Sequence, residues 1–446
     1  MSLGASILGP VTTGVERSRT PTVLALIAVS TGYLSVGHFR EALLLPLLPL
    51  ALYIFLNPVL GVTLAVTLLP VQHALVGSEG SAAIVSPADT LFLLSAAGLF
   101  PLLTLRDEWR TRLRASQAPL LFAAPFLAWL VVVLAAHPSG HSAFKTLTAV
   151  EITVFPLVLG ASVLDRRHAP IAMGGFVLIA LPLAMLWITS SDFGFSGNKN
   201  GAGQFLSVAV LLAIVLATGH PWRYALVAVL FVGMLFTASR GAVIGTAIGA
   251  IVLLIVRGLG SWRRTAIAAV TLTALVVIGF NTVPATVQAR LVAVLHANGS
   301  TNGPTDANLS KVQLQTNYNL KIRTHYREDA YSLIRQHPIL GVGTGNYITG
   351  SGPTITLDPH NLLLRTAAEG GYPNTTFFLL FVGGASVLVF RRLRVSPWAG
   401  PALAVQAATL THGLVDVYWI RGIPVLGWLL VGMALNPLLD RQSDGG

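Results

Sequence analysis

Residues 169–189 have the sequence APIAMGGFVLIALPLAMLWIT, which contains no charged side chain. A helix of this length, at about 1.5 Å per residue, is close to the thickness of the hydrocarbon core of a bilayer. Arg166 and Arg167 come directly before the run, and such basic residues anchor the cytoplasmic ends of many membrane helices. The stretch therefore predicts a transmembrane helix that begins on the cytoplasmic side.

Similar apolar runs occupy most of the chain. Hydrophobic residues make up 54% of the 446 positions and charged residues only 10%, whereas soluble domains have about 25% charged residues. Runs long enough to span a bilayer occur near 22–37, 41–56, 58–77, 90–105, 118–136, 143–164, 169–189, 201–218, 222–238, 241–256, 264–281, 374–390, 398–414 and 417–436. We therefore predict an all-α fold, a polytopic transmembrane helical bundle of roughly 12 to 14 spans.

The distribution of arginine predicts the orientation of this bundle. With a cytoplasmic N-terminus and alternating spans, the cytoplasmic loops contain Arg106, Arg110, Arg112 and Arg114; Arg166 and Arg167; Arg257, Arg263 and Arg264; and Arg391, Arg392 and Arg394. The opposite loops 78–89 and 137–142 contain neither Lys nor Arg. This positive-inside pattern accounts for the net charge of +11 without a nucleic-acid partner. We expect a multi-pass membrane protein with both termini in the cytoplasm.

One long polar segment interrupts the apolar runs. It divides the chain into an N-terminal transmembrane bundle (1–281), an extracytoplasmic catalytic loop (282–373) and C-terminal transmembrane helices (374–446). We expect short helices inside the loop, because loops of this size with structure of their own are usually functional.

Within the loop, 298–320 is rich in Asn, Thr and Gly and is predicted to be irregular and mobile. The next stretch, 321–336, places five apolar side chains on one helical face, namely Ile322, Tyr326, Ala330, Leu333 and Ile334. A second helix is predicted to start at Asp358-Pro359 and to end at Gly370-Gly371.

Polar side chains converge on the predicted outer face. Such groups at membrane depth are energetically costly, so each is a candidate for function. The candidates are Asn198, Lys199 and Asn200; Ser239 and Arg240; His137, His141, Lys145 and Glu151; Arg323, Arg327, His337, His360 and Asn361; and His412, Asp416 and Arg421. A neutral His360 has the chemistry of a general base, although it could instead cap its helix.

Several of these candidates also have a simpler interpretation. Arg240 could extend its side chain to the interface without binding a ligand. The histidines of HPSGH at 137–141 could bind a metal, but no nearby residue completes a ligand set. The glycines Gly341, Gly343 and Gly345 resemble a phosphate-binding loop only weakly, because no Lys-Ser/Thr follows them.

Three motifs, in order, carry a resemblance to a known family. They are TASRGAVIG (237–245), RTHYREDAYSLIRQHPILGVGTGNY (323–347) and DPHNLLLRTAAEGG (358–371). Together they resemble the O-antigen ligase and polymerase superfamily of membrane glycosyltransferases. The segment GFSGNKNGAGQFL (194–206) resembles the Asn-rich stretch of that family, although Lys199 stands where Pro is common.

The resemblance implies transfer of a glycan from a polyprenyl diphosphate carrier to an acceptor sugar hydroxyl, without a metal or another cofactor. Arg240 and Arg323 would bind the diphosphate, because guanidinium groups bind phosphate oxygens in pairs. His360 would activate the acceptor hydroxyl as the third catalytic residue. The substrate-binding candidates are Lys199, Asn200, Asn198, Arg327, Asn361 and Glu369, of which the last two would shape the helix of His360.

The partners implied are the lipid-linked glycan donor, an acceptor glycan or glycolipid, and the bilayer, and the location implied is the bacterial cytoplasmic (inner) membrane. The motifs do not separate a ligase from a repeat-unit polymerase of the same superfamily. A polysaccharide transporter or flippase would be expected to have an internal repeat, and none is evident. A membrane acyltransferase relying on one His is a third alternative, and an intramembrane protease lacks a Ser-His pair on neighbouring spans.

Overall fold

The computed structural model of the chain describes residues 51–71, 87–105, 107–189, 199–217, 223–258, 311–347, 358–416, 422 and 424–441. Within these ranges all regular structure is helical. The α-helices are α1 (Pro58–Leu68), α2 (Pro87–Leu105), α3 (Asp107–Ala136), α4 (Gly140–Ser162), α5 (His168–Thr189), α6 (Lys199–Leu216), α7 (Arg223–Phe236), α8 (Arg240–Gly258), α9 (Lys311–Gln336), α10 (Leu362–Arg391), α11 (Ala399–Val415) and α12 (Val425–Leu435). Short 3₁₀ turns follow at Leu69–Val71 and Pro437–Leu439.

The helices confirm an all-α, polytopic membrane architecture. Five of them contain segments long and apolar enough to cross a bilayer, namely Ser116–Ala136, Gly140–Ser162, His168–Thr189, Lys199–Leu216 and Leu362–Arg391. Others, such as α8 and α12, are apolar but shorter. The predicted runs 22–37 and 264–281 lie outside the described residues, so the number of spans remains a prediction.

Small residues let the helices of the bundle pack closely. Gly241, Gly245 and Gly249 recur every four residues on α8 and face α11, where a side chain at Gly245 would meet the backbone carbonyl of Ala408 at 2.7 Å. Lipid tails give little driving force for association between apolar helices, so close backbone approach supplies the van der Waals contact. α4 and α12 also pack through glycine, because Gly160 faces the Leu429 carbonyl.

The polar loop is more helical than the sequence indicated. The prediction that 298–320 is irregular is wrong for 311–320, because α9 begins at Lys311. This stretch, KVQLQTNYNL, is polar but lacks Gly and Pro, and it continues directly into the apolar face of 321–336. That face is confirmed: Ala330 and Ile334 are buried, and Ile322, Tyr326 and Leu333 are half-buried.

The helix predicted at Asp358-Pro359 begins later, at Leu362. The N-cap is Asn361, whose side-chain oxygen accepts hydrogen bonds from the backbone N–H groups of Leu363 and Leu364, both at 3.0 Å. The start is delayed because His360 has a φ of 50°, in the left-handed region that a right-handed helix excludes. At the predicted end, Gly371 has a φ of 75° and kinks α10, which then continues to Arg391.

The chain directions place two groups of loops at opposite ends of the bundle. α8 and α11 are antiparallel, since Gly241 lies against His412 and Gly249 lies against Ala404. The start of α8, the start of α10 and the end of α11 therefore meet at one end, which we call the site end. The arginine-rich end lies about 25 Å away, the length of α11. It includes Arg166, Arg167, Arg391, Arg392, Arg394 and Arg441.

The close approach of α8 to α11 predicts the effect of adding a side chain between them. Gly245→Val is expected to lower the stability of the purified protein in detergent by about 1–3 kcal/mol, because the new methyl groups would force the two backbones apart. Gly174→Val on α5 is the control, since a side chain there would have no neighbour within 4 Å. Thermal unfolding is the measurement. Equal melting temperatures for the two variants would contradict this packing.

Candidate functional site

The centre of the site end is a pairing between His360 and Asp416. Nδ1 of His360 lies 2.9 Å from Oδ1 of Asp416, the residue that directly follows α11 and is only 4% exposed. Burial by itself raises the pKa of the Asp416 carboxyl, but the hydrogen bond with His360 and the nearby His412 and Arg323 lower it below its ordinary value. An ionised carboxylate only accepts hydrogen bonds, so Nδ1 carries the proton. Nε2 of the neutral ring is then left with a lone pair.

A chain of polar contacts holds the strained backbone of His360. Oδ1 of Asp358 accepts a hydrogen bond from the backbone N–H of His360 at 2.8 Å. Arg365, which is buried, donates to the other carboxylate oxygen of Asp358 and, through Nε, to Oε1 of Glu369 at 3.0 Å. Such left-handed backbone at a non-glycine residue costs on the order of 1–3 kcal/mol, which the surrounding contacts must offset. Glu369 thus acts on His360 indirectly, through Arg365 and Asp358.

Arg323 joins the site from α9. Its Nη1 donates to the backbone carbonyl of Val415 at 3.2 Å, and its Nη2 lies 3.7 Å from Oδ2 of Asp416. Arg327 follows one helical turn later and is half-buried. Its Nε is buried and has no hydrogen-bond partner among the described residues. Arg323 and Arg327 are four residues apart, so one face of α9 carries two guanidinium groups.

Arg240 brings a further guanidinium to the same place. It is the first residue of α8 and is half-buried, close enough to interact electrostatically with both Arg323 and Asp416. Its Nη1 is buried and donates to no partner in the part of the chain that the structure describes. The next residue, Gly241, packs directly on the ring of His412 and so fixes where α8 begins. Two guanidinium groups thus face one carboxylate.

The substrate-binding candidates are divided between this cluster and its edge. Asn361 is at the centre, because it caps α10 and donates to the backbone carbonyl of Leu414 at 2.9 Å. Lys199, which is exposed, and Asn200, which is half-buried, open α6. One turn later Gly203 packs on Ser239, so this end of α6 adjoins the start of α8. Asn198 lies outside the described residues.

The glycine-rich run supports α10. Gly341, Gly343 and Gly345 all have positive φ. The N–H of Val342 donates to the Ala368 carbonyl, and the N–H of Gly343 donates to the Glu369 carbonyl, both at 2.9 Å. Backbone carbonyls already accept hydrogen bonds from these two amides. The glycines are therefore explained by the contact of this run with α10, without a bound phosphate. The carbonyl of Gly345 in turn lies 3.1 Å from Nε2 of His141. This contact gives His141 a structural role.

The sequence predicted no role for three residues on which the site depends. Asp416 and His412 were only two of many polar candidates on the outer face, and the partner of Asp416, His360, lies 56 residues earlier in the chain. Arg365 was not among the candidates, although its spacing from Glu369 is the i,i+4 spacing of a helical ion pair. His412 is buried in α11, and both of its ring nitrogens lack a hydrogen-bond partner among the described residues. An acidic residue at the end of an apolar run was the available signal for Asp416.

The fold and the cluster define a polytopic helical membrane protein with an arginine- and histidine-containing site at one end of its bundle. Residues 225–379 match the family model described as O-antigen ligase. This region contains Arg240, Arg323 and His360. The match confirms the resemblance of this region to the O-antigen ligase and polymerase superfamily that the three motifs indicated. No curated protein sequence matches the chain.

The buried pairing of Arg365 predicts a large effect on stability. Arg365→Met is expected to destabilise the protein by about 3–5 kcal/mol, because it leaves the carboxylates of Asp358 and Glu369 buried without their cation. The triple variant Arg365→Met, Asp358→Asn, Glu369→Gln removes the uncompensated charges and should recover part of that loss. Melting temperatures in detergent test both expectations. A single variant as stable as the parent protein would show that the cluster is not held together by this ion pair.

Proposed function

We propose that this protein transfers a glycan from a polyprenyl diphosphate carrier to a sugar hydroxyl of an acceptor, as an O-antigen ligase-like enzyme. The observation that carries the proposal is the imbalance of charge at the site end. Arg240 and Arg323 face a single carboxylate, and an N–H of Arg240 is buried without a partner among the described residues. A buried guanidinium requires an anion, and a diphosphate supplies one.

The two guanidinium groups would act on the leaving group. As the bond between the anomeric carbon and the diphosphate oxygen breaks, its electron pair stays on the diphosphate and the negative charge there increases. Arg240 and Arg323 would be in place before that charge develops, so no reorganisation is needed at the moment of reaction. Arg327, one turn further along α9, and Lys199, at the start of α6, would contribute additional positive charge to donor binding.

His360 would act on the acceptor. Its Nε2 would take the proton of the sugar hydroxyl as the oxygen bonds to the anomeric carbon. Asp416 would hold the ring in the tautomer that leaves Nε2 unprotonated and would stabilise the imidazolium that forms. An attack from the side opposite to the diphosphate would invert the anomeric centre. No step needs a metal ion.

The proposed reaction takes place on the extracytoplasmic face. Support comes from the arginine-rich end, which lies at the opposite end of the bundle and by the positive-inside rule belongs in the cytoplasm. Nucleotide sugars are absent outside the cytoplasm, so a lipid-linked donor is the natural substrate there. The acceptor distinguishes the candidate reactions: a ligase adds one finished chain to a different molecule, whereas a polymerase extends chains repeatedly.

The first functional prediction concerns His360, which is proposed to act on the acceptor, and Arg240, which is proposed to act on the donor. His360→Ala and Arg240→Ala are each expected to abolish glycan transfer, because one removes the proton acceptor and the other the charge that stabilises the leaving group. Transfer is measured with purified lipid-linked donor and acceptor, and gel analysis of products separates single addition from stepwise extension.

Matched controls are available on α9. His325→Ala and Arg335→Ala remove the same chemical groups from exposed positions and should leave transfer unchanged. Expression and membrane insertion should be equal for all four variants. Full activity of His360→Ala or Arg240→Ala would remove that residue from the mechanism.

The second functional prediction separates Asp416 from the diphosphate-binding residues. Asp416→Asn should lower kcat by about 10²–10⁴-fold, because the amide can present its N–H to Nδ1 and stabilise the wrong tautomer of His360. KM for the donor should stay the same or fall, since Arg323 loses the carboxylate that competes with the diphosphate. Steady-state kinetics with varied donor concentration distinguish the two effects. A raised KM with unchanged kcat would place Asp416 in donor binding instead.

A further inference from the structure

A cleft opens at the arginine-rich end, at the opposite end of the bundle from the site described above. It has a volume of about 430 Å³ and lies between the loop that precedes α5, the end of α6, the loop that precedes α11 and the segment that follows α12. Arg166 and Arg441 line it together with Trp398 and Leu439. The proposed reaction makes no use of this region.

The charge in the cleft is positive. Asp440 also lines it, but both of its carboxylate oxygens accept from Nη2 of Arg392, at 2.5 and 2.6 Å. That pair is electrically balanced, so Arg166 and Arg441 remain as the uncompensated charges of the lining. Among the described residues neither forms an ion pair with a carboxylate side chain. An anion is therefore the complementary ligand.

Arg166 is held in place while keeping donors for a ligand. Its Nε donates to the backbone carbonyl of Leu438 at 3.0 Å, and its Nη2 donates to the backbone carbonyl of Asp440. A guanidinium has five N–H donors, and both protons of Nη1 have no partner among the described residues, so they can bind a ligand. Arg441 is anchored through its backbone, whose N–H donates to the Val395 carbonyl at 2.9 Å, and its side chain is exposed. Arg166 thus offers a positioned guanidinium and Arg441 a second one on the same lining, and such groups suit phosphate oxygens.

The rest of the cleft and its surroundings are apolar. Pro170, Leu216 and Leu439 form its walls, and Trp398 lies at the start of α11, where its ring is buried. Exposed apolar side chains lie next to these walls in the chain, namely Ile171 at 53%, Val395 at 44% and Leu438 at 39% exposure. In a membrane helix bundle such side chains face lipid tails. The cleft thus joins a basic pocket to a lipid-facing surface.

We propose that this cleft binds an anionic phospholipid, with the headgroup phosphate between Arg166 and Arg441 and the first part of an acyl chain along the apolar walls. Basic residues near the membrane surface favour anionic lipids, and a buried Trp beside the pocket is typical of the interfacial region. This site is distinct from the donor site and needs no prenyl chain. Its test uses binding, so the result does not depend on whether the proposed reaction is correct.

The experiment is native mass spectrometry of the full-length protein released from mixtures of phosphatidylglycerol and phosphatidylcholine. The parent protein should retain phosphatidylglycerol in preference to phosphatidylcholine. Arg441→Gln should reduce that retention about five-fold, the loss expected for one cation near a membrane surface. The double variant Arg166→Gln, Arg441→Gln should abolish the preference, and Arg441→Gln remains interpretable if loss of Arg166 impairs folding.

The controls identify both the position and the source of the phosphate. Arg394→Gln removes an exposed arginine of the same end that does not line the cleft, and it should leave retention unchanged. An equal loss in Arg394→Gln would mean diffuse attraction and would overturn the proposal. Unchanged retention in Arg441→Gln would do the same. Displacement of the lipid by millimolar inorganic phosphate would show that the cleft is a site for the free ion instead.

Discussion

The hydrogen bond between His360 and Asp416 is the interaction on which the site end depends. It joins His360, which precedes the N-cap of α10, to the residue after α11, and Arg323 from α9 pairs with the other oxygen of the same carboxylate. One buried carboxylate therefore fixes three elements relative to each other. Burying a carboxylate at the edge of an apolar bundle is energetically costly unless cations and hydrogen-bond donors surround it. The cations that stabilise Asp416 are also the groups that the proposed reaction uses.

The position of Arg240 depends on a different kind of contact. α8 approaches α11 through glycines, and the glycine after Arg240 lies against the ring of His412. No hydrogen bond among the described residues restrains the buried Nη1 of Arg240. Packing of small residues thus brings a second guanidinium to the carboxylate, with its Nη1 unpartnered among the described residues. This combination of a fixed backbone and an unsatisfied cation is what makes the site complementary to an anion.

The two ends of the bundle contain arginine for different reasons. At the site end Arg240 and Arg323 are half-buried and face a single carboxylate, that of Asp416. This excess of positive charge suits a ligand with more than one negative charge. At the arginine-rich end most are exposed or paired with backbone carbonyls and Asp440, as expected of residues that anchor helices at an interface. The cleft with Arg166 and Arg441 is the exception there, because a pocket brings two guanidinium groups together.

The sequence alone determined the class of protein, because long uncharged runs such as 169–189 are compatible only with membrane helices, and short motifs around Arg240, Arg323 and His360 resembled one superfamily. It also predicted a helix end at Gly370-Gly371, where the structure has a kink in α10, and the buried face of α9, since both follow from local geometry. The start of α10 was misplaced, because a capping interaction at Asn361 competes with the Asp358-Pro359 signal and local patterns do not decide between them. Asp416 as the partner of His360, and Arg365 as the support of Asp358, came only from the tertiary structure. Their contacts join helices through space, and the energy that selects them is the burial of charge, which a linear sequence does not specify.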